Sequence, residues 1–453
     1  MTKVSVIGGG YVGLVTAAGF ADLGHSVCVL EIDPCKTRSL ERGILTIDEP
    51  GLPESWQRNR EQGRISVTGD YIKGLLDAEF AFVSVGTPST RTGRPDLKSL
   101  YTAVRRIAET ASGPLVVVVK STVPVGTAEV VAGILARYGR DGRRFAVVSN
   151  PEFLREGYAV HDFMNPTRIV IGGSDRKAID AVAGLYERIK APVITCDNRT
   201  AEMSKYASNV FLAARISFMN EIASLCEEYG VNVSRIAEIM GFDPRFGKGY
   251  LNAGLGWGGS CLPKDVDGIL HMAKSRGVKL RMISAAQKIN KQQPQLVMEK
   301  LHRLLGPLEN KTIGILGLAF KPNTCDMRCA SSVTLISLLR EQGCSIKAYD
   351  PLAMKAAAEL GLEISYCADA YEVARDSDAL VLVTEWGEFK DLAMSVLCSS
   401  MTNPVFIDGR NFFDPDAMLE AGFLYEGIGR RTSGKPAISE AAPVNRPVTS
   451  RFR

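Results

Sequence analysis

Within its opening residues the chain passes from a short apolar strand, Lys3-Val4-Ser5-Val6-Ile7, into Gly8-Gly9-Gly10-Tyr11-Val12-Gly13. Helical periodicity then runs from Leu14 to Leu23 and stops at Gly24. A strand that feeds a helix through closely spaced glycines has few fates open to it. The chain must return as a parallel strand beside the first, and the glycine turn faces the crevice at the strand's carboxyl end. The second strand, Ser26 to Ile32, contains Glu31, about 18 residues past Gly13. A carboxylate there accepts from both hydroxyls of an adenosine ribose, so the expected cofactor is NAD rather than NADP. A 2′-phosphate would be repelled by Glu31, although Lys36 nearby weighs the other way.

The alternation continues. Glu79 to Val85 runs into Gly86-Thr87-Pro88, and Leu115 to Lys120 runs into Ser121-Thr122-Val123-Pro124. Both loops should face the cofactor, because ligands of open parallel sheets bind where strands end. Phe145 to Ser149 leads to Asn150-Pro151-Glu152-Phe153-Leu154-Arg155-Glu156, where Glu152 and Glu156 are expected to open a helix and share one face. After a strand at Pro192 to Cys196, residues Ala201 to Tyr229 read as one long helix without Pro or Gly. Its apolar side, with Met203, Phe211, Phe218 and Leu225, is broad enough to meet a second subunit, and Lys205 and Asn209 share a face. Gly241 to Tyr250 forms a basic loop with three aromatics, suited to a phosphorylated, ring-bearing ligand.

Gly254-Leu255-Gly256-Trp257-Gly258-Gly259-Ser260-Cys261-Leu262-Pro263-Lys264-Asp265 sets a thiol in a glycine-rich bend. Lys264 and a helix starting near Pro263 are expected to lower that thiol's pKa, as a nucleophile requires. A structural loop with a small buried cysteine is the alternative. The chain's ten cysteines form no CxxC pair and its four histidines no ligand-spaced pair, so neither a disulfide framework nor a metal site is expected.

Lys311 to Leu318 begins what reads as a second, incomplete Rossmann half. A loop with Lys321, Cys325 and Arg328 follows, then a helix from Ser332 to Glu341 and a strand ending at Asp350. Two more strands extend it, Ala379 to Thr384 and Pro404 to Asp408, the latter running into Gly409-Arg410. Lys321 and Arg328 fit a nucleotide diphosphate. The fold class is therefore α/β, with two Rossmann-like doubly wound domains joined by a long central helix. The divisions expected are residues 1–200, 201–300 and 301–430, with 431–453 a disordered tail. A net charge of +4 over 453 residues argues for neither a nucleic-acid nor a membrane surface. No apolar run spans a bilayer, and a cytoplasmic location is expected.

The ordered segments GGGYVGLVTA, SVGTP, KSTVPVGT, SNPEFLREG, AEMSKYASN, GWGGSCLPKD and GLAFKPNT resemble the family of UDP-glucose/GDP-mannose 6-dehydrogenases over the chain to about residue 430. The resemblance implies two successive oxidations of a nucleotide sugar at C6, with two NAD+ reduced. It further implies a nucleophilic Cys261, with Lys205 and Asn209 at the oxyanion and Asp265, Thr122 and Glu156 around water. It assigns Gly8, Gly10, Tyr11, Val12, Gly13, Glu31, Lys36, Thr87, Thr122, Glu156 and Arg328 to the cofactor. The sugar nucleotide falls to Glu152, Phe153, Leu154, Lys205, Asn209, Arg245, Tyr250, Leu251, Asn252, Gly254, Gly258, Lys321 and Arg410, with Arg245 reaching a neighbouring subunit's site. The stretch Asp243 to Gly254 points within the family to UDP-glucose as substrate, with GDP-mannose or a UDP-N-acetylhexosamine as alternatives. A non-catalytic nucleotide-sugar sensor is the reading of another class. A homodimer or larger assembly through the central helix is also implied. Two departures stand out. Trp257 replaces the usual Tyr or Phe, and Cys325 and Cys329 stand where acids are usual, four apart, as a candidate redox pair.

Overall fold

In the computed structural model, residues 1–139 and 144–430 are described. The tail expected to be disordered lies outside them. Eight strands make the first sheet: β1 (Lys3–Ile7), β2 (Ser26–Leu30), β3 (Ile65–Thr68), β4 (Phe80–Val83), β5 (Leu115–Val119), β6 (Phe145–Ser149), β7 (Ile169–Gly173) and β8 (Val193–Cys196). Their order is β3-β2-β1-β4-β5-β6-β7-β8, parallel except where β7 runs against β6. Strands such as Phe80–Val83 and Leu115–Val119 are apolar along their length because helices cover both faces, which leaves no polar side to alternate with.

Six strands make the second sheet: β9 (Thr312–Leu316), β10 (Ser345–Tyr349), β11 (Ser365–Tyr366), β12 (Ala379–Leu382), β13 (Val405–Asp408) and β14 (Leu424–Gly427). Their order, β11-β10-β9-β12-β13-β14, is fully parallel and repeats the order of the first six strands of the first sheet. The second half is therefore complete, contrary to expectation. The two strands missed in sequence are short, and β11 is only two residues long.

Between the sheets runs the central helix Asn198–Tyr229, begun by Asp197, which accepts the Thr200 N–H, and ended by Gly230 in the left-handed conformation. Helix Leu262–Ser275 packs on it, and so does the 25-residue helix Arg281–Leu305. The latter contains Pro294, which costs an interior hydrogen bond, but buried Val297, Met298 and Leu301 hold it to the second domain's core. Among the described residues no helix is long and apolar enough to cross a membrane.

Candidate active site

Residues 150–157 are a loop, and helix Ala159–Met164 starts only afterwards, so Glu152 and Glu156 do not share a helical face as expected. The backbone has better local partners. Glu152 accepts the Leu154 N–H, Arg155 pairs with Asp162, and Gly157 turns at a φ of 80°. The two glutamates part. Glu152 is buried against Lys205 at 3.0 Å, and Glu156 reaches the second domain, accepting from Thr324 Oγ1 at 2.6 Å.

This loop, the central helix, the cysteine loop and the second sheet enclose a cleft of about 990 Å³. From the expected site residues it gathers Glu152, Phe153, Leu154, Glu156, Lys205, Asn209, Tyr250, Asn252, Gly258, Cys261, Lys321 and Arg410. The central helix delivers Lys205 and Asn209 one turn apart. Asn209 donates to Asp265 Oδ2 at 2.6 Å, and Lys264 pairs with the other oxygen of that buried acid. Burial works against the Lys205 charge, but Glu152, Cys261 and Asp265 together hold its pKa above the ordinary lysine value. Glu152, also penalised by burial, is held below the usual carboxylate range chiefly by Lys205.

Cys261 caps helix Leu262–Ser275 and keeps surface open to the cleft. Its thiol, however, is pushed up, first by burial and then by the Glu152 charge, against the pull of Lys205 and Lys264. The expected lowering is not found, because burial and the Glu152 charge outweigh the two lysines, which are themselves paired, Lys264 with Asp265 and Lys205 with Glu152. The bend itself is built for close approach. A Cβ at Gly258 would sit 2.2 Å from the Cys329 carbonyl, and one at Gly259 2.6 Å from the Phe320 ring. Asn290, on the helix that sequence reasoning missed, accepts the Trp257 N–H at 2.7 Å and donates to the Trp257 carbonyl at 2.9 Å. Trp257 itself donates to Ser217 Oγ, so the larger ring is accommodated.

Three expected substrate residues, Leu251, Gly254 and Arg245, lie off the cleft lining. Leu251 packs in the second domain's core, and Gly254 is pressed against the Gly409 carbonyl with its N–H given to Asn220. The Arg245 side chain is 81% exposed and paired with Asp243, away from the cleft lining. Arg410 lines the cleft, but its guanidinium donates to the carbonyls of Val383, Gly256 and Phe320, tying the cysteine loop to the second sheet. Lys321 donates to the Glu156 carbonyl at 2.5 Å, and burial holds its pKa below the ordinary lysine value.

Sequence reasoning also passed over two cations of the cleft wall. Arg168 lies 3.8 Å over the Phe153 ring. Lys120 is fully buried, donates to Asn150 Oδ1 and Tyr186 Oη, and is pulled down by burial to about 8. Neither had a signal in its neighbours, since both partners come from distant strands and loops.

The glycine turn meets the demands of a dinucleotide. A Cβ at Gly13 would lie 1.9 Å from the Gly8 carbonyl, whereas Gly10 has open space in front of it. Tyr11 and Val12 begin the helix, and the Tyr11 hydroxyl accepts the Gly157 N–H. Glu31 stands just beyond β2, each carboxylate oxygen accepting one N–H, from Gly9 and Asp33, which leaves acceptor capacity for a ribose. Lys36 is exposed. Thr87 donates to the Thr122 carbonyl at 2.8 Å, joining the loops after β4 and β5. Arg328 is paired with Asp326 in its own loop.

Fold and cleft together define an NAD-dependent dehydrogenase of two Rossmann-type domains with a cysteine between them. Residues 2–190 match the NAD binding domain of the UDP-glucose/GDP-mannose dehydrogenase family, residues 199–292 its central domain and residues 314–415 its UDP binding domain. The chain belongs to that family. It is 42% identical over 444 residues to the UDP-glucose 6-dehydrogenase TuaD of Bacillus subtilis (strain 168), covering 98% of this chain and 95% of the relative. It is 41% identical to a UDP-glucose 6-dehydrogenase of Pseudomonas aeruginosa, covering 97% and 100%. A UDP-glucose dehydrogenase from the hyperthermophilic archaeon Pyrobaculum islandicum superposes with a TM-score of 0.90 at 38% identity, covering 95% of this chain and 98% of that one.

Proposed function

We propose that the protein oxidises UDP-glucose to UDP-glucuronate, reducing two NAD+ per sugar by way of a covalent intermediate on Cys261. The observation that carries this reading is the meeting of Cys261, Lys205, Glu152 and Asn209 in one cleft that Lys321 of the second domain also lines. Bound NAD+ supplies the hydride acceptor for both oxidations. Cys261 Sγ adds to the C6 aldehyde as a thiohemiacetal, and after the second oxidation the carbon is held as a thioester that water cleaves. Lys205 and Asn209 face the oxygen that carries charge in each of these steps, where a buried cation and an amide donor lower the barrier. The buried Asp265, with Thr122 and Glu156, holds the water. Although the resting thiol is pushed up, Lys205 pulls against that rise, and its ammonium is placed to stabilise negative charge as the sulfur reacts.

The relatives named UDP-glucose 6-dehydrogenases support the choice of sugar, since alignment with them spans nearly the whole chain. Incubation with UDP-glucose and NAD+ should give about two NADH per sugar, as a four-electron oxidation with a covalent intermediate requires. One NADH per sugar, or turnover only on GDP-mannose or a UDP-N-acetylhexosamine, would overturn it.

The exposed stripe of Met203, Phe211, Phe218, Leu225 and Tyr229 on the central helix supports a homodimer, in which the exposed Arg245 leaves Asp243 to reach the partner's cleft. Sedimentation as a monomer at micromolar concentration would remove that arrangement.

A further inference from the structure

Glu202 stands one helical turn before Lys205 on the central helix and is only 3% exposed. Its carboxylate reaches across to the first domain. One oxygen accepts the Gly126 N–H at 2.6 Å and the other the Ala128 N–H at 2.8 Å. These are donors at the start of helix Thr127–Tyr138, whose own N-cap residue, Gly126, has no side chain to serve them. That helix continues directly from loop 120–126, which carries Thr122. The loop is laced in turn to the one after β4, through Thr87 Oγ1 on the Thr122 carbonyl and Ser121 Oγ on the Val85 carbonyl at 2.7 Å. A cavity of about 10 Å³ behind the loop is lined by Thr122, Ser149, Glu202 and Lys205, so the loop and the lysine share one wall.

We propose that Glu202 is a positioning residue for the cofactor side of the reaction, bracing the loop after β5 against the helix that carries Lys205. The inference rests on the reading of that loop as facing NAD. Cofactor and catalytic lysine are then set by a single carboxylate.

The brace has a built-in pH dependence. Burial, and after it the Glu129 charge, push Glu202 up to about 7, against the two N–H groups that favour its anion. The other groups facing it are Arg199 and Tyr206 on its own helix and Tyr101 on helix Lys98–Thr110, with Lys205 across the shared cavity. As a carboxylate it accepts both N–H groups. Once protonated, it turns a hydroxyl donor toward one of them, and the clamp is released at that end.

NADH affinity, titrated by fluorescence without any sugar nucleotide, tests this independently of which sugar is the substrate. Between about pH 6 and about pH 8.5 the wild-type protein should gain about fivefold in affinity, the factor for the net worth of one backbone hydrogen bond. Glu202→Gln keeps the shape but turns an amide donor toward one N–H. It should bind about fivefold more weakly than wild type at the upper pH and equally at both. A Glu202→Gln protein with wild-type affinity and pH dependence overturns the proposal. So does wild-type affinity that is flat across the range, a result that does not depend on the variant folding.

Discussion

The second sheet repeats the order of the first six strands of the first, and the two share even one first glycine. Gly8 turns at a φ of 107° with its missing Cβ 2.9 Å from the Ser84 carbonyl, and Gly317 turns at 87° with its missing Cβ 2.4 Å from Thr384. Ser84 and Thr384 lie just past β4 and β12, the equivalent neighbours of β1 and β9. That glycine is therefore required by the sheet in both halves. After it they diverge. In the first half the helix starts at Tyr11, whereas in the second a loop runs from Gly317 to Ala330 before helix Ser331–Glu341. The acids after the second strands diverge as well. Glu31 accepts two N–H groups, but Asp350 accepts from Leu318, Ala319, Leu352, Ala353 and Trp386 Nε1 and has nothing left for a ribose. The same topology has become a dinucleotide site on one side and, on the other, a self-satisfied turn with a long loop free to carry Lys321 into the shared cleft.

If the chemistry belongs to the seam and to neither half, its loss should leave each half's binding untouched. Cys261→Ala should still bind NAD+ and UDP-glucose by calorimetry while uronate formation falls by roughly 10⁶-fold, the scale on which loss of a covalent nucleophile is felt. The loop keeps its glycine packing, so stability should change little. Uronate made at near wild-type rate would mean that the bend is structural and the cysteine incidental.

The two acids sharpen the comparison next. Asp350→Ala strands five donors around a buried position and should cost about 3 kcal/mol or more in a urea titration. Glu31→Ala frees two donors at the mouth of a site and should cost about 1 kcal/mol of stability, while the KM for NAD+ rises about tenfold. Equal losses of stability would break the distinction between a ligand acid and a structural one.

Much of this was legible in sequence wherever the signal was local. The apolar runs of β1, β6 and β13, the glycine turn and the length of the central helix are patterns of neighbouring residues, and they fold as such. What escaped was set by distant partners or by exceptions. Helix Arg281–Leu305 went unread, and a buried apolar face keeps it whole through Pro294. Glu152 and Glu156 have helical spacing, yet Lys205 and Thr324 pull them to different walls. Lys264 beside Cys261 reads as an activator, but burial of the thiol outweighs it, and its charge is shared with the next residue. Glu202 gave no sign at all, since its partners lie some 75 residues upstream.

The smallest effect concerns the second half's long loop, where Cys325 and Cys329 stand in place of acids. A redox switch needs a thiolate, and both thiols are pushed up, by burial first and then by nearby carboxylates: Asp48 beside Cys325 and Asp267 beside Cys329. Cys329 also sits in the left-handed backbone region at a φ of 51°, and its carbonyl lies against Gly258, so closing a disulfide would drag the cysteine bend with it. Both observations favour two separate, unreactive thiols. Mild oxidation with Cys261 protected by bound substrate should leave activity unchanged, with no 325–329 disulfide by mass spectrometry. A bridge that forms and alters the rate would show instead that the loop distinguishing the second half from the first is a regulatory element as well as a carrier for Lys321.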